Sequence, residues 1–344
     1  MMNHRLFAAL GLFWIASTHA AECCTIPVFR FALDRWEPDR FKLLLPADVA
    51  AKPDIVELLR PLRAGGKANL DIITDRTGQA KETALFFPRE GTPAMWSGEL
   101  NAASLGSLLD SKGREQVLKH ILEGDSVTWV IVDGATPDDE AEAQRISKRL
   151  SFLEQAAALP IQDPNDPDSQ LGPGPALRLK FQVMRLKQDE ASEKPMIAML
   201  AGPEGRVDAS KPFAAAIFGR GRVLGAWQLD QLDDAGLEDA CMFLIGRCSC
   251  RVKNENPGWD LLMNVDWPKM LEATQQGRKS IVKAEEAPKA ATGPKASNES
   301  MVPETAKVTA EALPGSSESK TMPWMIWSGV ALLGLAVVVL LRKS

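Results

Sequence analysis

Five cysteines, Cys23, Cys24, Cys241, Cys248 and Cys250, come nearest to carrying chemistry in this chain of 344 residues. Adjacent Cys23-Cys24 and the Cys248-Ser249-Cys250 triplet can form structural disulfides linking the start of the body to its end, the expectation for a secreted protein. A bridge within the triplet would instead close a strained, labile ring. The two groups together could also offer soft thiolates to Cu(I) or zinc. An odd number of cysteines leaves at least one thiol free or paired with another chain.

Histidine narrows the remaining choices. Of three histidines, His4 and His19 fall in an N-terminal leader, so the body retains only His120. That excludes a multi-histidine metal centre within one chain, and any Ser-His or Cys-His pair would have to use this one imidazole. His120 lies in a helical pattern of apolar residues with no evident orienting partner, and reads as an ordinary surface histidine. Asp163-Pro-Asn-Asp-Pro-Asp168 carries three carboxylates, but it lacks the glycine and terminal glutamate of a calcium loop and suits a turn. Arg220 and Arg222 flank Gly221 and are expected as solvated charge at a hairpin tip. The acidic stretch Thr136 to Glu142 is explained by a helix N-terminus alone. No catalytic residue, metal ligand or cofactor is expected.

The elements that position these residues lie between two special ends. Residues 1–21 carry Arg5, an apolar run from Leu6 to Ala16, and Thr18-His-Ala20, the pattern of a secretory signal. Trp324 to Leu341 is an uncharged stretch of 18 residues. As a helix it would span roughly 27 Å, and Arg342-Lys343 follow it. Residues 322–344 are therefore expected to anchor the chain by one membrane pass. The basic end would be cytoplasmic and the body outside, on the periplasmic side or surface of a bacterial cell. Residues 271–321, rich in Ala, Lys, Glu, Pro, Ser and Thr, read as a disordered tether. A net charge of −5 without a dense basic cluster gives nucleic-acid binding no support.

Between these ends the hydrophobic pattern gives an α/β protein. Residues 22–124 read as β-α-β-β-β-α. Strands are expected at Phe41 to Leu45, Leu70 to Ile73, and a hairpin around Gly91, followed by a helical region from Asn101 broken near Gly113. Residues 125–270 read as β-α-β-α-β-β-α. Their strands are expected at Ser126 to Asp133, Leu177 to Leu186, Phe213 to Phe218 and Val223 to Trp227, and their helices at Pro137 to Ala158, Glu193 to Leu200 and Asp233 to Gly246.

The second order resembles the thioredoxin fold, and two tandem thioredoxin-like units of βαβαββα type are the expected architecture. That resemblance implies a cis-proline before the third strand, for which Pro212 is the candidate. It also implies a Cys-x-x-Cys pair after the first strand, but Pro46-Ala-Asp-Val49 and Gly134-Ala-Thr-Pro137 stand there without cysteine. Ile26-Pro-Val-Phe-Arg-Phe-Ala-Leu-Asp-Arg-Trp36, Cys248-Ser-Cys250 and Asn256-Pro-Gly-Trp-Asp-Leu-Leu262 further resemble an uncharacterised family of secreted bacterial proteins, which implies no activity. The expectation is a non-catalytic binding or accessory module, held to the membrane and open to a protein partner. The alternative is a thiol-redox or Cu(I)/zinc-handling protein that uses the paired cysteines.

Overall fold

The chain enters the fold through α1 (Val28–Arg35), which buries Phe29, Phe31, Ala32 and Leu33. The computed structural model describes residues 25–134, 136–163, 165–203, 205, 207–247 and 252–286, without the side chains of 168 and 279–286. Cys23, Cys24, Cys248 and Cys250 lie outside these residues, as do the expected leader and the stretch Trp324 to Leu341. Among the described residues no helix is long and apolar enough to cross a membrane. All of them belong to one compact unit.

β1 (Phe41–Pro46) alternates buried and half-buried side chains, and Pro46 ends it. Two short helices follow, α2 (Ala47–Ala50) and α3 (Pro53–Arg63), the second opened by Pro53 and turning Ile55 and Leu59 inward. β2 (Leu70–Asp75) then pairs parallel to β1, with Phe41 opposite Leu70. β3 (Thr83–Phe86) runs antiparallel to β1, and β4 (Ala94–Gly98) antiparallel to β3. The order is β2-β1-β3-β4. α4 (Ala102–Leu109) starts in a capping box between Asn101 and Ser104. α5 (Lys112–Glu123) is capped by Ser111, so the expected helix break falls just ahead of Gly113.

The second sheet repeats the scheme. β5 (Val127–Asp133) leads into α6 (Pro137–Ala156), and β6 (Phe181–Lys187) returns parallel to β5. After α7 (Lys194–Ala201), β7 (Phe213–Phe218) pairs antiparallel to β5, and β8 (Arg222–Gln228) antiparallel to β7. α8 (Asp234–Ile245) and a short β9 (Trp259–Asp260) complete an order of β6-β5-β7-β8-β9. β6 begins later than the expected Leu177, because the Ser126 and Glu154 side chains bind the backbone at Lys180 and Phe181.

β5 and β7 are buried on both faces, and period two divides them between two cores. Trp129, Ile131, Ala214, Ala216 and Phe218 pack with residues of α1, α6 and α8. Val130, Val132, Phe213, Ala215 and Ile217 share one core with Phe41, Leu43 and Leu45 of the first sheet and with Met196, Met199 and Leu200 of α7. α7 touches β4, α4 and β8, so one helix serves both sheets.

Two sequence expectations are corrected here. The Lys211–Pro212 bond is trans; no cis peptide occurs among the described residues. Proline still opens β7, since its fixed φ suits a strand start and its missing N–H is not needed there. Its carbonyl accepts the Leu229 N–H (3.2 Å) and the Gln228 amide (2.9 Å). The expected tether beginning at 271 starts instead inside α9 (Trp267–Glu286). Trp267 and Leu271 are buried and Met270 packs beside them, an i, i+3, i+4 stripe that continues into good helix formers without proline.

One shared core predicts a single cooperative unfolding transition for residues 25–286, with calorimetric and van't Hoff enthalpies in agreement; two resolved transitions would mean that the sheets fold independently. Leu271→Ala should cost about 2–5 kcal/mol in urea denaturation. Asp75, at the end of β2, accepts hydrogen bonds from Thr77 N (2.8 Å), Thr77 Oγ1 (2.6 Å) and Ala80 N (2.6 Å), which lower its pKa to about 2. A depressed carboxylate contributes stability above its unfolded value near 3.9 and loses it as pH falls through about 2. Carboxyl NMR should place the Asp75 midpoint there, and Asn substitution should remove that step.

Candidate binding site

The hairpin between β7 and β8 turns through Gly219-Arg220-Gly221. Both glycines have positive φ (58° and 89°), which the turn requires. A Cβ on Gly219 would stand 2.8 Å from the Ala32 Cβ, so α1 rests directly on the tip. Arg220 and Arg222 are therefore buried, against the expectation of solvated charge. The pattern of a polar tip was read locally, but the tip is covered by α1 and by the segment leading to β9.

Each guanidinium has its own set of acceptors. Arg220 donates from Nε to the Leu33 carbonyl (2.8 Å) and from Nη2 to the Asp34 carbonyl (3.2 Å), and it pairs with Glu37 (2.5 Å). It thereby closes the carbonyl end of α1, where positive charge is favoured. Arg222 donates to the carbonyls of Asn256 (3.0 Å), Pro257 (3.3 Å) and Gly258 (3.2 Å), and it pairs with buried Asp260 at 3.3 Å. Its guanidinium also lies 5.7 Å from the centre of a Trp36 ring.

Asp260 binds the Asp39 N–H (2.6 Å) and the Lys253 ammonium, which also reaches Asp39 (2.8 Å) and the Glu37 carbonyl (2.6 Å). Asn69 extends the network to the carbonyls of Asp39 and Leu261 and to the N–H of Met263. The stretches 26–36 and 256–262, noted separately in the sequence, thus meet on one hairpin. The signal that could have indicated it was the excess of Arg and Asp within otherwise apolar motifs.

Over this network opens a cleft of about 670 Å³, walled by Phe87, Pro88 and Trp259 and rimmed by Arg40, Arg89 and Asn256. That volume lies in the range of about 300–1,000 Å³ typical of ligand pockets. Among its described lining residues there is no hydroxyl, thiol or imidazole side chain. Such a lining can bind and orient a polar ligand.

A second cleft, of about 450 Å³, lies at the carboxyl ends of β5 and β6, beside Asp133, Gly134, Arg185 and Lys187. Here Arg185 joins Asp133 (2.7 Å) and Glu140 (2.7 Å). Burial raises the Asp133 pKa, while Arg185 opposes the rise; Glu140 is lowered chiefly by the hydrogen bond from Arg185. A Cβ on Gly134 would come within 2.3 Å of the Pro212 Cγ. The structure therefore brings Pro212 against the turn after β5.

The other sequence candidates separate. Cys241 is a free thiol at the core of the α8 face, and burial pushes its pKa up to about 12, which rules out ready thiolate chemistry. His120 is not an ordinary surface residue: its Nδ1 lies 3.1 Å from the Asp125 carboxylate, an orienting partner five residues away that a helix and a sharp turn bring back to it. No protein-family model matches this chain, and no curated protein does.

Asp260→Ala should leave the buried Arg222 guanidinium without its carboxylate partner, and Lys253 with only Asp39 and the Glu37 carbonyl, and cost about 3–5 kcal/mol in denaturant unfolding. A cost below about 1 kcal/mol would show that water reaches these charges and that the network does not hold the fold.

Proposed function

We propose that this chain is a membrane-anchored extracytoplasmic binding or accessory protein, whose body is built from two tandem thioredoxin-like units and performs no catalysis of its own. Support for the fold reading is the repeated sheet order, β2-β1-β3-β4 and β6-β5-β7-β8, each with one parallel and two antiparallel pairings. The leader at 1–21 and the apolar stretch Trp324 to Leu341 support the location, and the resemblance to secreted bacterial proteins agrees with it. The observation that carries the functional reading is the turn after β5. A thioredoxin-type dithiol would stand there, and this chain instead places Gly134 against Pro212 beside the Asp133–Arg185–Glu140 ion pairs. The 670 Å³ cleft supplies the binding surface, toward a protein or a polar small molecule.

A second reading, thiol exchange or Cu(I)/zinc handling, draws on the chain flanks. Val28 N donates to Gly246 O (3.0 Å) and Pro27 bridges Arg247 in antiparallel sense, so the described stretches leading to Cys24 and to Cys248 run side by side. The same adjacency suits structural disulfides equally well.

Mass mapping of thiols in protein from its native compartment, followed by a Cys248→Ser/Cys250→Ser variant, separates the two. Bridges that resist mild reductant, with potentials below about −300 mV and a lowered Tm in the variant, support the binding protein. Turnover of a disulfide substrate that the variant loses while keeping its Tm would establish the second reading instead.

A further inference from the structure

We propose that His120, Glu123 and Asp125 form a mononuclear site for a divalent cation of the zinc class, at the junction of α5 and β5. Their ligand atoms all lie within 4.8 Å of one another. His120 Nδ1 is 3.1 Å from Asp125 Oδ2 and 3.6 Å from Glu123 Oε2. Bonds of about 2.0–2.1 Å at tetrahedral angles place ligand atoms ~3.4 Å apart, so the two measured edges bracket the spacing that an ion between them requires.

The carboxylates are also oriented for such an ion. Each directs one oxygen at the imidazole and the other at an outer cation: Asp125 Oδ1 lies 3.2 Å from Arg178 Nη1, and Glu123 Oε1 lies 3.8 Å from Lys119 Nζ. Arg178 thereby holds Asp125 from outside, as outer partners do for metal-binding carboxylates. The Asp125 side chain is only 2% exposed, so its carboxylate is held in place beside the imidazole.

The α5 carbonyl end faces the same turn, since His120 O accepts the N–H groups of Gly124 and Asp125, and the negative end of the helix favours a cation. One imidazole and two carboxylates select zinc or its transition-metal neighbours over magnesium or calcium, and they leave a fourth position open. Lys119 and Arg178 offset the two carboxylate charges, which sets a moderate affinity. The site uses no cysteine as a ligand and shares no residue with the lining of the proposed binding cleft.

The test is titration of the full chain in detergent with Co²⁺, followed by displacement with Zn²⁺. The expected result is one equivalent bound without a thiolate-to-cobalt charge-transfer band, with affinity at least ~10-fold weaker in His120→Ala and in Glu123→Gln. Should His120→Ala fail to fold, Glu123→Gln decides alone, since that side chain is 42% exposed and its loss leaves the core intact. Unchanged affinity in Glu123→Gln, or cobalt bound only with a thiolate band, would overturn the proposal.

Discussion

The ion pair between Arg222 and Asp260 is the constraint on which much of this structure rests. Both groups are removed from water, and a buried charge left alone costs several kcal/mol. Arg222 therefore needs the carbonyls of residues 256–258 as well as Asp260, and Asp260 needs Lys253 and the backbone at Asp39. Satisfying one charge draws in a chain segment that carries the next. The start of the body, the β7–β8 hairpin and the stretch after α8 are thereby held together, although nearly 200 residues of sequence separate the first from the second. A ring of Trp36 completes the enclosure, packing edge-on to Phe218 with centres 6.2 Å apart.

The apolar side of the fold follows the same rule of mutual dependence. The first sheet has no helix between β2 and β3, so the parallel strand leads straight into the antiparallel hairpin. What a crossover helix would cover falls instead to α4, α5 and α7. The Trp259 indole N–H, bound to the Met199 carbonyl at 2.8 Å, fastens α7 to β9 and so joins the apolar core to the charged network. Glu193, just before α7, accepts the Gly113 N–H (2.9 Å) and the Ser111 hydroxyl (2.7 Å), closing the start of α5 from the other half of the chain.

What could be read from the sequence was local. Short apolar runs located β1, β5 and β7; Gly219 and Gly221 marked the hairpin; Asp233 and Pro137 marked helix starts; and each of these depends on a few neighbouring residues. What could not be read was decided by distant ones. Arg220 and Arg222 have the composition of a wet turn and are buried only because α1 and the segment leading to β9 lie over them. His120 gains its partner from a carboxylate beyond the helix end. Leu271 belongs to the core, although the residues after it are those of a tether. Pro212 opens its strand as expected but in the trans form, since a strand start asks only for the φ that either isomer supplies. Of the candidate thiols, only Cys241 is among the described residues, and its burial follows from its position on the inner stripe of α8.

The sharing of α7 between the sheets has an evolutionary consequence. A repeated fold commonly suggests modules that can be duplicated, lost or exchanged one at a time. Here the second repeat carries a wall of the first, and the charged lock that closes the second is partly built from residues preceding the first. Neither half could be inherited alone without exposing the inner face of the other, so selection acts on the pair as one indivisible block. Recombination should be tolerated only outside 25–286.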